Sequence, residues 1–153
     1  MIHPQMIADA VAPMLKDPSL GCINLVAPIR SIEEVQDPNT IKVVMARNGD
    51  ALFFSRQPIP TPRNQEFKPG KWFKQVCVIP FRRKTLERFA MLPPTELELA
   101  ESIDMLRLLE HGFPVRMVRT DMDTHAVDTL EDLRLVETLL ARDRYTTTYM
   151  EVR

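Results

Sequence analysis

Glycine is scarce in this 153-residue chain, four residues against thirteen prolines, and the four stand apart at Gly21, Gly49, Gly70 and Gly112. Loops that cradle phosphate need glycine so that backbone N–H groups can approach the anion, and neither a P-loop nor a dinucleotide fingerprint can be written anywhere here. A nucleotide's phosphates would have to be held by something other than such a loop. An excess of charge is lacking too. Twenty basic and 21 acidic residues leave a formal net charge of -1, which offers no global field to a nucleic acid polymer or an anionic membrane surface. No segment approaches the roughly 18 apolar residues of a membrane span, and the N-terminus has no basic stretch leading into an apolar run. Small molecules or other proteins are the expected partners, and the cytoplasm the expected location.

Cysteine and histidine are also few. Cys22 and Cys77 both lie in apolar stretches, where buried reduced thiols are expected rather than a disulfide or a metal pair. His3, His111 and His125 are too scattered for a zinc site, and His111 beside Gly112 suits a helix C-terminus. Ser55 has neither a Gly-x-Ser-x-Gly setting nor a matched histidine and acid, which argues against serine hydrolysis.

What is present, 44% hydrophobic and 27% charged residues, fits a single soluble domain over residues 1–153. Met6, Ile7, Ala10, Val11 and Met14 predict a helix over 4–16, bent near Pro13. Residues 22–29 read as a strand, and Ser31-Ile-Glu-Glu as a capping box opening a short helical turn. Asn48-Gly49-Asp50 between two β-prone runs predicts an antiparallel hairpin of 41–46 with 51–55. Pro58, Pro60, Pro62 and Pro69 forbid regular structure over 57–72. The apolar run 74–81 predicts a strand buried on both faces. Helices are expected over 85–91 and from Thr95 to Gly112, the latter with Leu99, Ile103, Leu106 and Leu109 inward. A strand at 115–118 and a helix at 129–142, with Leu133, Val136 and Leu140 inward, follow; 145–153 is a strand or a tail. The class is α/β with a mixed sheet, an inserted hairpin and a proline-rich loop.

Several residues invite chemistry and a plainer reading at once. Arg56 and Arg63 flank the stiff segment Gln57-Pro-Ile-Pro-Thr-Pro, where two guanidiniums can be held ready for a carboxylate or phosphate, or simply solvated. Arg82-Arg83-Lys84 reads as a solvated helix start, and Glu98, Glu101 and Asp104 as a solvated helix flank. Asp128, between a strand end and a helix start, is a plausible Mg²⁺ ligand or part of a helix cap led by Thr129.

Four ordered blocks carry a resemblance: Asp37-Pro-Asn-Thr-Ile-Lys-Val-Val44, Ala51-Leu-Phe-Phe-Ser-Arg-Gln-Pro-Ile-Pro60, Glu98-Leu-Ala-Glu-Ser-Ile-Asp-Met-Leu-Arg107 and Val127-Asp-Thr-Leu-Glu-Asp-Leu133. Over about residues 2–141 the chain resembles the CMP-Kdo synthetase type of cytidylyltransferase. That resemblance implies a partial, Rossmann-like nucleotide-diphospho-sugar-transferase fold corresponding to the C-terminal, sugar-binding and dimerisation part of such an enzyme. The N-terminal nucleotide-binding half, with one of two metal-binding aspartates, is expected to be missing. It implies attack of a sugar-acid anomeric hydroxyl on the α-phosphate of CTP with Mg²⁺, the activation step for lipopolysaccharide sugar, by a homodimer joined near the proline-rich loop. The family's sugar-binding arginines fall on Arg56 and Arg63 and its C-terminal metal aspartate on Asp128. Its sugar-contacting histidine falls on Gln75, a tyrosine on Ile79, and a Glu-Gln pair on Asp104-Met105, so the implied sugar is Kdo or a related 2-keto-3-deoxy acid. A non-catalytic sugar-acid-binding or dimerisation module derived from such an enzyme is the alternative, and no catalytic residue is assigned.

Overall fold

Five short strands, none long enough to stand alone, share one mixed sheet: β1 (Ile23–Pro28), β2 (Lys42–Met45), β3 (Ala51–Ser55), β4 (Phe73–Val76) and β5 (Arg116–Arg119), in the order β3-β2-β4-β1-β5. The computed structural model describes residues 2–61, 67–68, 70–122, 125, 127, 129–143 and 145–146. The chain divides into two compact units, Pro4–Met122, which contains the whole sheet, and Met1–His3 with Asp123–Arg153.

β1 and β5 run parallel, while β4 is antiparallel to both β1 and β2 and the β2–β3 hairpin is antiparallel as expected. Side-chain alternation sorts the sheet into two apolar faces. On one, Leu25, Ala27 and Val76 bury against Met6 and Ala10 of α1 (Pro4–Lys16). On the other, Val26, Val43, Phe54 and Met117 bury against Ile103, Met105, Leu106 and Leu108. Ser31 opens α2 (Ile32–Gln36) by accepting from the Glu34 amide at 3.2 Å, and Glu34 in turn accepts from the Arg30 amide. Among the described residues no helix is long and apolar enough to cross a membrane.

The hairpin turn does more than reverse the chain. Gly49, at φ +88, turns its carbonyl to the Met117 amide at 2.9 Å, the Ala51 amide donates to Val115 O at 2.8 Å, and Asp50 pairs with Arg116 at 2.6 Å. The sheet therefore curls until β3, at one end of the strand order, is tied at its beginning to β5 at the other.

Several expectations about the long segments are overturned. The strand expected over 74–81 ends at Val76, and its side chains are mostly half-buried. Val76 O accepts from both the Val78 amide and the Asn24 side chain at 2.7 Å, while Leu25 and Ile23 donate onward to Val78 O and Pro80 O. One extra residue is thus extruded at Cys77, as in a bulge, and Cys77 is exposed rather than buried. Cys22 is buried as expected, and burial pushes its thiol up to about 12.

The helix expected from Thr95 to Gly112 is two, α4 (Glu96–Glu101) and α5 (Met105–Glu110), broken where Ser102 takes the left-handed conformation at φ 54. The break turns Leu99 outward at 70% exposure while Ile103 and Leu106 bury. It also buries Glu98 against Arg107, Nε to carboxylate 2.7 Å with Nη2 on the other oxygen, so the acids of this flank are not a solvated row. Arg82, preceding α3 (Arg83–Met91), is no solvated cation either: its guanidinium donates to Leu20 O at 2.9 Å and Asp17 O at 3.1 Å.

In the other unit, α6 (Leu130–Leu140) begins with the cap read from sequence, Thr129 Oγ1 accepting from the Asp132 amide at 3.1 Å. Of its expected inward trio only Val136 is buried; Leu133 and Leu140 remain 41% and 37% exposed. The last stretch, expected as strand or tail, is helical at 145–146 and otherwise outside the described residues.

Candidate functional site

Arg56 follows directly on β3, and the chain around it is fixed before its side chain is considered. Glu101, at the end of α4, accepts from Ser55 Oγ at 2.7 Å and from the Arg56 amide at 2.9 Å. The guanidinium then donates through Nε to Glu101 O at 2.8 Å, through Nη1 to Pro38 O at 2.9 Å and through Nη2 to Ser102 O at 3.3 Å. Lys42, fully buried, closes the underside by donating from Nζ to Asp37 O at 2.8 Å and to Arg56 O. Burial holds its ammonium below the ordinary lysine range. Three carbonyls thus orient Arg56, and two of the five N–H donors of a guanidinium remain. Arg56 is half-buried, neither the solvated loop arginine nor a freely extended one.

Strand register places the other expected residues. Lys42 lies opposite Ser55 on one side and Lys74 on the other, the Gln75 amide donates to Ile41 O at 2.8 Å, and Val26 lies opposite both Gln75 and Arg119. Arg56, Ile41, Gln75, Val26 and Arg119 therefore form one row across the sheet. At ~4.8 Å per strand, Arg56 and Gln75 are about 10 Å apart along it. The Gln75 amide Nε2 donates to Oδ1 of the fully buried Asn24 at 2.6 Å, and Asn24 Nδ2 donates to Leu25 O and Val76 O. Asp104 is exposed at the start of α5, two residues after the Ser102 carbonyl that Arg56 grips. Arg63 and Asp128 lie outside the described residues.

Sequence reasoning missed Lys42, Glu101 and Asn24. An isolated lysine in a β-branched run gives no sign that its strand position is buried. Glu101 and Asn24 act through contacts 46 and 51–52 residues away in sequence, for which no local spacing exists.

Beyond the row, a cavity of about 360 Å³ opens between the hairpin turn, the start of β4 and the end of β5. Val43, Met45, Phe73 and Met117 line it, with Arg47, Lys71 and Arg119 as its charged residues. The Arg119 guanidinium sits 4.6 Å over the centroid of the Phe73 ring. Ligands of open α/β sheets bind outside the carboxyl ends of the parallel strands, and Arg119 ends β5 on that side.

Comparison with known proteins agrees with this architecture. The profile of the cytidylyltransferase family matches residues 1–140. The 3-deoxy-manno-octulosonate cytidylyltransferase of Chloroherpeton thalassium is 44% identical over 144 residues, covering 93% of this chain and 58% of that protein. The protein of the same name from Geobacter metallireducens is 40% identical over 151 residues, covering 93% and 59%. The solved structure of CMP:2-keto-3-deoxy-manno-octonic acid synthetase complexed with CTP is 37% identical, with a TM-score of 0.83 over 93% of this chain and 58% of that one. The chain thus spans less than two thirds of the length of these relatives. It belongs to the cytidylyltransferase family, and the resemblance to CMP-Kdo synthetases read from its motifs holds.

Proposed function

We propose that this chain serves the sugar-acid side of CMP transfer from CTP to Kdo or a related 2-keto-3-deoxy acid. The supporting observation is the match of nearly the whole chain to a synthetase solved with CTP. The anchored Arg56 gives the reading chemical content. A guanidinium fixed by three carbonyls and still carrying two donors is preorganised for a carboxylate, because little side-chain entropy remains to be lost on binding. Asp104 and Gln75 are taken as its neighbours in the sugar site, with Arg63 as the second cation. Asp128 is taken as the residue that would hold Mg²⁺, whose charge would neutralise the phosphates. The described residues do not by themselves assemble a group of three His, Cys, Asp or Glu able to hold it, so no step here is routed through the metal.

Calorimetric titration with Kdo is expected to show binding that weakens about tenfold or more in Arg56→Ala, the loss of one charge-assisted contact. Thermal unfolding of the same variant separates loss of the contact from loss of the fold. Equal affinity in a folded variant overturns the assignment. The chain is also taken to be a homodimer through the region of the proline-rich loop. Sedimentation equilibrium at micromolar concentration should return twice 17.7 kDa, and a monomer mass counts against it.

A further inference from the structure

We propose that the cavity lined by Arg47, Lys71 and Arg119 is a subsite for a polyanion carrying two or more linked phosphates. Three cations from three separate segments, the hairpin turn, the approach to β4 and the end of β5, converge on one space whose lining contains no acid. Like charges gathered around a common space repel one another, and they are balanced by a ligand bearing several negative charges better than by one carboxylate. Other cations of the same unit are already spent: Lys74 on Glu34, Arg83 on Glu87, Arg107 on Glu98 and Arg116 on Asp50. Arg47, Lys71 and Arg119 have no carboxylate partner among the described residues.

The cavity also has the form of a site. The Phe73 ring lies 4.6 Å from the Arg119 guanidinium carbon, a cation–π contact that steadies this cation in the lining without using a carboxylate. Val43, Met45 and Met117 add apolar side chains to the lining, and low-dielectric surface beside a cation strengthens its attraction for a bound anion. The volume of about 360 Å³ falls within the range of small-molecule pockets. No glycine-rich loop is needed, because side chains rather than backbone amides supply the charge. This subsite stands apart from the sugar-acid reading, whose test uses another ligand and Arg56.

Trp72, the chain's one tryptophan, is buried between Lys71 and Phe73 and donates from Nε1 to Pro60 O at 2.9 Å; Pro60 lines the cavity. Inorganic pyrophosphate titrated into the whole chain at low ionic strength should give a saturable calorimetric isotherm accompanied by a change in Trp72 fluorescence. Affinity should fall about tenfold in Arg119→Gln and further in Arg119→Gln with Lys71→Gln, while Lys84→Gln, on α3 outside the cavity, leaves it unchanged. CTP binding with the same dependence on Arg119 would identify a nucleotide's phosphate chain as an accepted source, and pyrophosphate binding alone a free one. Absence of a saturable isotherm overturns the proposal. So does equal weakening by Lys84→Gln, which would mean diffuse charge attraction, or Kdo binding at Arg119 as tightly as pyrophosphate, which would mean that one carboxylate suffices.

Discussion

Pyrophosphate release by this chain alone, given CTP, Mg²⁺ and Kdo, is expected to fall more than ~10⁵-fold below that of a full-length relative. Nucleotidyl transfer requires the triphosphate oriented, its charge neutralised and the attacking hydroxyl held in line. Arg56 can orient a carboxylate, and the cavity beside Arg119 can attract phosphates. Neither supplies a cytosine pocket or an array of backbone N–H groups aimed at the α-phosphate, and the sequence contains no loop of that kind. Losing such positioning forfeits on the order of 7–11 kcal/mol of barrier lowering, so turnover should be undetectable. A coupled pyrophosphate assay with both proteins at equal concentration decides it. Turnover within about a hundredfold of the relative would mean that these 153 residues assemble a complete site, for example across a dimer.

Replacing Glu98 by alanine is expected to lower stability by about 3 kcal/mol, roughly 6–12 °C in Tm, read by urea and thermal unfolding. Glu98 is 9% exposed and its carboxylate receives two donors of Arg107, whose guanidinium carbon also lies 4.7 Å from the centroid of the Phe89 ring. Removing the acid leaves a largely covered cation without its partner, which costs more than the pair itself contributes. The hydrogen bonds from Arg107 hold the Glu98 carboxyl below its usual range, against the opposing effect of burial. A carboxylate depressed in the folded state stabilises fully above its unfolded value, about 4.3, and that contribution disappears as pH falls through the folded value. Stability of the native chain should therefore drop below about pH 4.5, and Glu98→Gln should flatten this part of the profile. An unchanged acid limb in Glu98→Gln would show that the pair contributes nothing.

The same pair explains why the longest expected helix was misjudged. Residues nine apart on a continuous α-helix are two and a half turns apart and point to opposite sides, so Glu98 and Arg107 can meet only if the helix breaks between them. Ser102 provides the break at φ 54, with no glycine or proline to announce it. Elements specified by local chemistry were legible: the Ser31 and Thr129 caps, the Asn48-Gly49 hairpin and the Met6-Ala10-Met14 stripe. The bulge at Cys77 was not, since it depends on Asn24 capturing the Val76 carbonyl from a strand 52 residues earlier. Arg56 was found because its motif is distinctive, but its grip on the carbonyls of Pro38, Glu101 and Ser102 is a tertiary fact.

The join between the hairpin turn and β5 has a consequence for the order of assembly. Asp50 and Arg116 are 66 residues apart, whereas the hairpin itself closes through Ala46 and Asp50. Loop-closure entropy makes the short closure early and the long one late, so the curled corner is completed only after most of the sheet exists. The walls around Arg47 and Arg119 come from opposite sides of that late closure. Local opening at this corner separates them without unfolding the β1–β4 ladder, so a molecule bound there acts as a clasp. By mass action it slows amide exchange at Ala51 and Met117 while leaving the exchange of β1 unaltered.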